Sequence, residues 1–121
     1  MAYNGKRPFT HKYLSAAHAD VTVATASGYA VVAGQGYLTT VKTVIHGAIT
    51  GANETLNIYK NGVDTTYDIT VAYSGSAAGD VDSVDIPERA VPVVEGDYLT
   101  IVSANASGGT TSATVTYVIA E

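Results

Sequence analysis

The chain has no cysteine and no tryptophan, one phenylalanine and three prolines among 121 residues. Without cysteine there is neither a disulfide framework nor a thiolate metal site, which fits assembly in a reducing compartment. Strong helix formers such as Leu, Glu, Lys, Arg and Gln are scarce. No apolar run reaches membrane-spanning length, and the N-terminus lacks the apolar stretch of a signal peptide. What the chain has instead is valine, threonine, alanine, twelve glycines and nine tyrosines. β-branched and tyrosyl side chains suit a pleated, half-buried surface, and glycine suits the turns between strands. The composition predicts an all-β single domain, long enough to bury a core without staples.

The firmest local signal is Thr55–Tyr73. Asn61-Gly62 is the dipeptide that accepts positive φ at both centres of a two-residue type I′ turn. Beyond it Val63, Thr65, Tyr67, Ile69, Val71 and Tyr73 recur with period two, and Leu56 and Ile58 supply an apolar face before it. A hairpin is predicted here, with all six of those residues turned inward.

The other segments read as strands around that hairpin. Val21 and Val23 suggest a first strand, broken by Ser27-Gly28, and Tyr29–Ala33 a second. Leu38–Ile49 reads as a long strand with Val41, Thr43 and Ile45 on one face and Thr40, Lys42, Val44 and His46 on the other. Gly47 invites a bend within it. After a glycine- and serine-rich loop comes Val81–Ile86, with weak alternation. Pro87 and Pro92 favour an edge or a connection. The turn Glu95-Gly96-Asp97 feeds Tyr98–Ala104, and Ala113–Ala120 closes the chain. About eight strands at this spacing predict an antiparallel β-sandwich of jelly-roll type over residues 20–121.

Residues 1–19 show neither period and are expected to form an extended N-terminal arm. Its charge differs from the rest. No acid precedes Asp20, while Lys6, Arg7 and Lys12 give the arm +3; beyond it Lys42, Lys60 and Arg89 stand against all eleven acids, a net of −8. A basic arm on an acidic body points to docking on an acidic protein surface, because the body itself would repel nucleic acid. Lys6, Arg7 and Lys12 are the candidate charged contacts, with Tyr3, Phe9 and Tyr13 as anchors, since aromatic residues and arginine dominate binding energy. Threonine-rich, weakly charged outer faces favour self-association.

No motif carries chemistry. His11, His18 and His46 lack metal-ligand spacing, so a solvated or interfacial role is expected for each. No serine sits in a nucleophile-elbow context. Asp80, Asp82 and Asp85 alternate near a loop and offer oxygens of the kind Ca²⁺ takes, but without the glycine and terminal glutamate of an EF-hand. A carboxylate pair of the glycosidase kind, Glu54 with Asp97 for example, is a matter of distance that spacing does not give, and the tryptophans usual in such clefts are absent. Neither an enzyme nor a cofactor or metal is expected. The tyrosines allow a different reading, a sugar-stacking platform.

Thr55–Gly62, then Val93-Val94-Glu95-Gly96-Asp97-Tyr98-Leu99-Thr100-Ile101, then a glycine turn and the strand Ala113–Ile119 resemble the small jelly-roll decoration, or cement, proteins of tailed-bacteriophage capsids. The resemblance covers roughly residues 36–121. It implies a virion protein on the capsid surface, a homotrimer that clamps subunits of the major capsid protein, without nucleic-acid or membrane contact. The alternative is a carbohydrate- or receptor-binding module of a phage fibre or head fibre.

Overall fold

A computed structural model describes residues 11–104 and 106–121. They form nine antiparallel strands and no helix: β1 His11–His18, β2 Ala26–Val31, β3 Gly36–Ile45, β4 Glu54–Lys60, β5 Val63–Val71, β6 Val81–Asp85, β7 Pro92–Val93, β8 Tyr98–Ser103 and β9 Ala113–Ala120. One sheet has the order β1-β9-β3-β6, with the two-residue β7 also on β3, and the other has the order β2-β8-β4-β5. Every connection between neighbouring long strands crosses between sheets except the β4–β5 hairpin. That alternation is the jelly-roll order. The expected sandwich is therefore present: seven of the eight strands read from sequence are there, and β1 and the two-residue β7 are additional.

The core lies between the sheets. Leu38, Val41, Ile45, Val115, Tyr117 and Ile119 face Leu56, Ile58, Ile69, Leu99 and Ile101, all of them within 1 % of complete burial. Each such side chain contributes about 1.5–3 kcal/mol by leaving water. The Tyr117 hydroxyl crosses the core and donates to the Gly28 carbonyl at 2.7 Å. This ties β9 of one sheet to β2 of the other. Burial pushes the Tyr117 phenol well above its ordinary value.

The hairpin turns at Asn61 (φ 52°) and Gly62 (φ 81°), as type I′ requires. The strand after it departs from simple alternation. The β4–β5 register shifts between Asn57 and Tyr59, and Thr66 at φ 71° sits in the bulge, where the Thr65 hydroxyl donates to the Ile58 carbonyl. Ile69 and Val71 are buried and Tyr67 is partly so, but Val63 and Tyr73 are exposed, at 68 % and 46 %. Val63 is the first residue of β5, beside the turn, and Tyr73 lies two residues past the end of the strand.

The N-terminal half differs more from expectation. Residues 21–24 are a turn rather than a strand; Val21 is fully buried as a plug, its N–H bonded to the Thr111 carbonyl. β2 runs through Ser27-Gly28, because Gly28 (φ 69°) serves a register shift between Ser27 and Ala30 instead of ending the strand. β3 stops at Ile45, so Gly47 lies past its end. Within the stretch expected as an arm, His11–His18 is strand β1, paired along its whole length with β9 from His11↔Ala120 to His18↔Ala113.

Candidate docking surface

β1 determines where the candidate binding residues stand. Its inward positions are Lys12, Leu14, Ala16 and His18, and its outward positions are His11, Tyr13, Ser15 and Ala17. Tyr13 is 68 % exposed on the outer face of the β1-β9-β3-β6 sheet. Lys12 turns the other way. Its ammonium pairs with the Glu121 carboxylate at 3.2 Å and covers Gly34, where an added Cβ would meet Nζ at 2.5 Å. The Lys12 charge is thus already matched within the chain. Tyr3, Lys6, Arg7 and Phe9 lie outside the described residues. The structure therefore places Lys12 and Tyr13 on opposite sides of one strand and does not bring them together.

The ladder registers build the outer face row by row. Tyr13–Val118–Thr40–Asp85 is followed by Ser15–Thr116–Lys42–Ser83 and Ala17–Thr114–Val44–Val81. Lys42 and Asp85 are the only full charges in these rows. The Ser15 and Thr116 hydroxyls pair across the ladder at 3.4 Å, and Thr40 donates to Asp85 at 3.4 Å. At the far end the His46 ring bridges Ser112 and Thr114, with its two nitrogens 2.8 and 2.9 Å from their hydroxyls. On a protein of net charge −5 this is a flat, threonine-rich patch with almost no charge. Four strands about 4.8 Å apart and three to four rows about 7 Å apart give it roughly 450 Å² in projection.

The opposite outer face, over β2-β8-β4-β5, is aromatic and acidic. Tyr29 and Tyr98 stand with ring centroids 6.0 Å apart and planes inclined at 33°. Val31 beside them is exposed, and Asp64 and Asp68 extend from β5. The Asn61 amide holds the edge of this patch: it donates to Asp97 and accepts from the Tyr98 N–H, both at 2.9 Å. That bond from Asn61, with another from the Val94 N–H, keeps the Asp97 carboxyl below its ordinary range. Around the rim at this end, Arg89 lies 5.7 Å from the centre of the Tyr37 ring. A groove of about 470 Å³ runs between Tyr37, Pro92, Val94 and Glu121.

The acids singled out for chemistry do not converge. Glu54 begins β4, and Asp97 is bonded to the residue that follows β4. The length of that strand, about 20 Å at 3.3 Å per residue, separates them, whereas a glycosidase pair needs roughly 5–10 Å. Asp82 and Asp85 point to opposite sides of β6, and Asp80 caps the Ala77 N–H. Among the described residues no group of three or more His, Asp or Glu side chains is arranged to hold a metal ion. Burial and the neighbouring Asp80 push the Asp82 carboxyl up.

At the other end of the sandwich lies a polar cluster with little trace in the sequence. His18, expected to be solvated or interfacial, is fully buried within the domain, with Nε2 3.1 Å from the Ser103 hydroxyl. Glu54 is also fully buried and accepts from the Ser107 hydroxyl at 2.7 Å and from the Ala106 and Ser107 N–H groups at 3.2 Å. Asp20 accepts from Thr22 and from the Thr111 N–H, and these bonds, the Thr22 hydroxyl first, hold its carboxyl low. The serine–imidazole pair lies beneath the surface, so no substrate reaches it.

No protein-family model matches the sequence, and no curated protein does. Solved structures align with the chain. A chain of the cyanophage Pam1 capsid asymmetric unit aligns over 93 % of this chain and 85 % of its own, at 15 % identity and a TM-score of 0.55. A thermostable GH87 α-1,3-glucanase catalytic unit from Streptomyces thermodiastaticus aligns at 16 % identity and a TM-score of 0.48. Its match covers 91 % of this chain and only 26 % of the glucanase. CBM35 from Cellvibrio japonicus Abf62 aligns over 88 % of this chain and 92 % of its own, at 14 % identity and a TM-score of 0.45. At the fold level the chain is an antiparallel jelly-roll sandwich of a kind also found in a phage capsid.

Proposed function

We propose that this chain is a structural virion protein, a decoration or cement protein that binds the outer capsid lattice as a homotrimer and stabilises joints between capsid subunits. The observation that carries the reading is the nearly charge-free outer face of the β1-β9-β3-β6 sheet, set on an otherwise acidic domain. The near end-to-end match to a chain of similar length in a phage capsid asymmetric unit supports it at the level of fold.

The size of the face bears on mechanism. A stable interface buries about 800 Å² per partner, and roughly 450 Å² in projection falls short of that. The remaining contact is assigned to residues 1–10, whose Lys6 and Arg7 would meet acidic groups of the partner while Tyr3 and Phe9 anchor. Symmetry then multiplies a modest contact, since each subunit of a trimer holds the others at high effective concentration.

The test is co-sedimentation of the full chain, and of a variant lacking residues 2–10, with capsid shells assembled without it. The truncation stops at residue 10 because β1 begins at His11 and its loss would uncover the core. Binding by the full chain, weakened at least tenfold in the variant, is the expected outcome. Equal binding of the two removes the arm from the account, and no binding of either removes the capsid.

One observation favours a second reading, a carbohydrate-binding module. The exposed Tyr29–Tyr98 pair offers two rings with polar tips to the face of a sugar. A glycan array probed with the full chain and with Tyr98→Ala separates the readings: a hit lost in the variant supports the module, and a blank array rejects it.

A further inference from the structure

His18 is the last residue of β1, and its ring is sealed under the end of the sandwich. Nε2 is satisfied by the Ser103 hydroxyl of β8, while Nδ1 has no hydrogen-bond partner among the described residues. The charged groups that face the ring are Asp20, on the loop leaving β1, and Glu54, on β4. Both are committed elsewhere, Asp20 to Thr22 and Thr111, Glu54 to Ala106 and Ser107. β9 places Ala113 opposite His18, and β2 contributes Ser27, whose hydroxyl bonds Ala17 and Ala19 beside it.

The neutral ring fits this site. With its proton on Nε2 it donates to Ser103 and leaves only a bare lone pair at Nδ1. A second proton would put an N–H where no acceptor stands and a full charge where no water reaches, both of which are costly. β1 is an edge strand, laddered on one side only, to β9, so little beyond that ladder and its own inward side chains holds it.

We propose that His18 is an acid-sensitive latch on the N-terminal strand: protonation of its ring releases the end of β1 from the sheet while the rest of the sandwich stays folded. The direction follows from linkage. Burial lowers the proton affinity of the folded ring, with Asp20 and then Glu54 partly opposing it, so the opened strand binds the proton more readily. The stabilisation is complete above the ordinary histidine value of about 6.5 and declines as pH falls below it. Asp20 and Asp97 are held below the ordinary carboxylate range and so lie outside this window. The latch does not depend on what the outer face binds. It gives the chain a way to open β1 in mild acid.

Native-state hydrogen exchange of the full chain tests this, following Leu14 and Ala16 in β1 against Leu56 and Ile58 in β4 at pH 7.5 and 5.5, corrected for intrinsic rates. The β1 opening constant is expected to rise between about threefold and tenfold, with β4 unchanged. In His18→Gln, which keeps a polar amide but cannot be protonated, the rise disappears whatever the overall stability of the variant. NMR titration of the His18 ring in the unmodified protein gives the same test without substitution, because β1 opening should track that titration. A pH-independent β1, a rise that persists in His18→Gln, or a parallel rise in β4 each overturns the latch.

Discussion

Replacing Tyr117 by phenylalanine removes one oxygen from the centre of the sandwich. That oxygen donates to the Gly28 carbonyl at 2.7 Å and links the two sheets. Gly28 sits in the β2 register shift, off the regular ladder, so its carbonyl has no neighbouring strand amide in register to take over. Leaving a buried acceptor unsatisfied costs about 1–3 kcal/mol, and the small void left by the oxygen adds a few tenths. The expected loss is about 2 kcal/mol. With an m-value of about 1.2 kcal/mol/M for a domain of this size, the urea midpoint should fall by roughly 1.7 M. Far-UV circular dichroism and tyrosine fluorescence together report the transition. The substitution also carries an alkaline signature. The folded phenol titrates well above its ordinary value, so its stabilisation is present below about pH 10 and is lost as pH rises further. Tyr117→Phe should flatten that alkaline decline. A loss below about 0.5 kcal/mol, with the alkaline limb unchanged, would refute the role assigned to this hydroxyl.

Two further substitutions test local claims. At Asp82 burial and Asp80 disfavour the charge; stability from the protonated form is present at low pH and lost as the carboxyl ionises. Asp82→Asn should therefore stabilise the domain by up to about 0.5 kcal/mol at pH 7, after allowance for solvent screening, and have no effect near pH 3; urea titrations at the two pH values decide. At the hairpin tip Gly62 holds φ 81°, and Gly62→Ala should cost about 1–2 kcal/mol in the same assay while β4–β5 pairing survives by NMR.

The sequence made the hairpin, the class and the second half of the chain legible because their inward faces are apolar and alternate. Ile69, Val71, Leu99, Ile101, Val115, Tyr117 and Ile119 are all buried as their period implies. β1 was illegible for the same reason in reverse. Its inward set is Lys12, Leu14, Ala16 and His18, with a single large aliphatic among them, so no period stands out. Lys12 could be read as a free cation because its partner, Glu121, is over a hundred residues away in sequence. The polar cluster around His18 and Glu54 was hidden likewise, since its bonds join residues some fifty to ninety positions apart. The outer face was half visible: threonine-rich strands pointed to a flat surface, but only the registers bring Thr116 between Ser15 and Lys42.

That face can be tested by a single charge. Thr116 lies at the centre of the rows, and Thr70 occupies an exposed position on the outer side of β5 in the other sheet. The decisive measurement is occupancy of capsid shells lacking this protein by the wild-type chain, Thr116→Arg and Thr70→Arg, each first shown to be folded by circular dichroism. The account predicts that Thr116→Arg lowers occupancy at least tenfold while Thr70→Arg binds as the wild type does. Full occupancy by Thr116→Arg, with loss in Thr70→Arg, would contradict it.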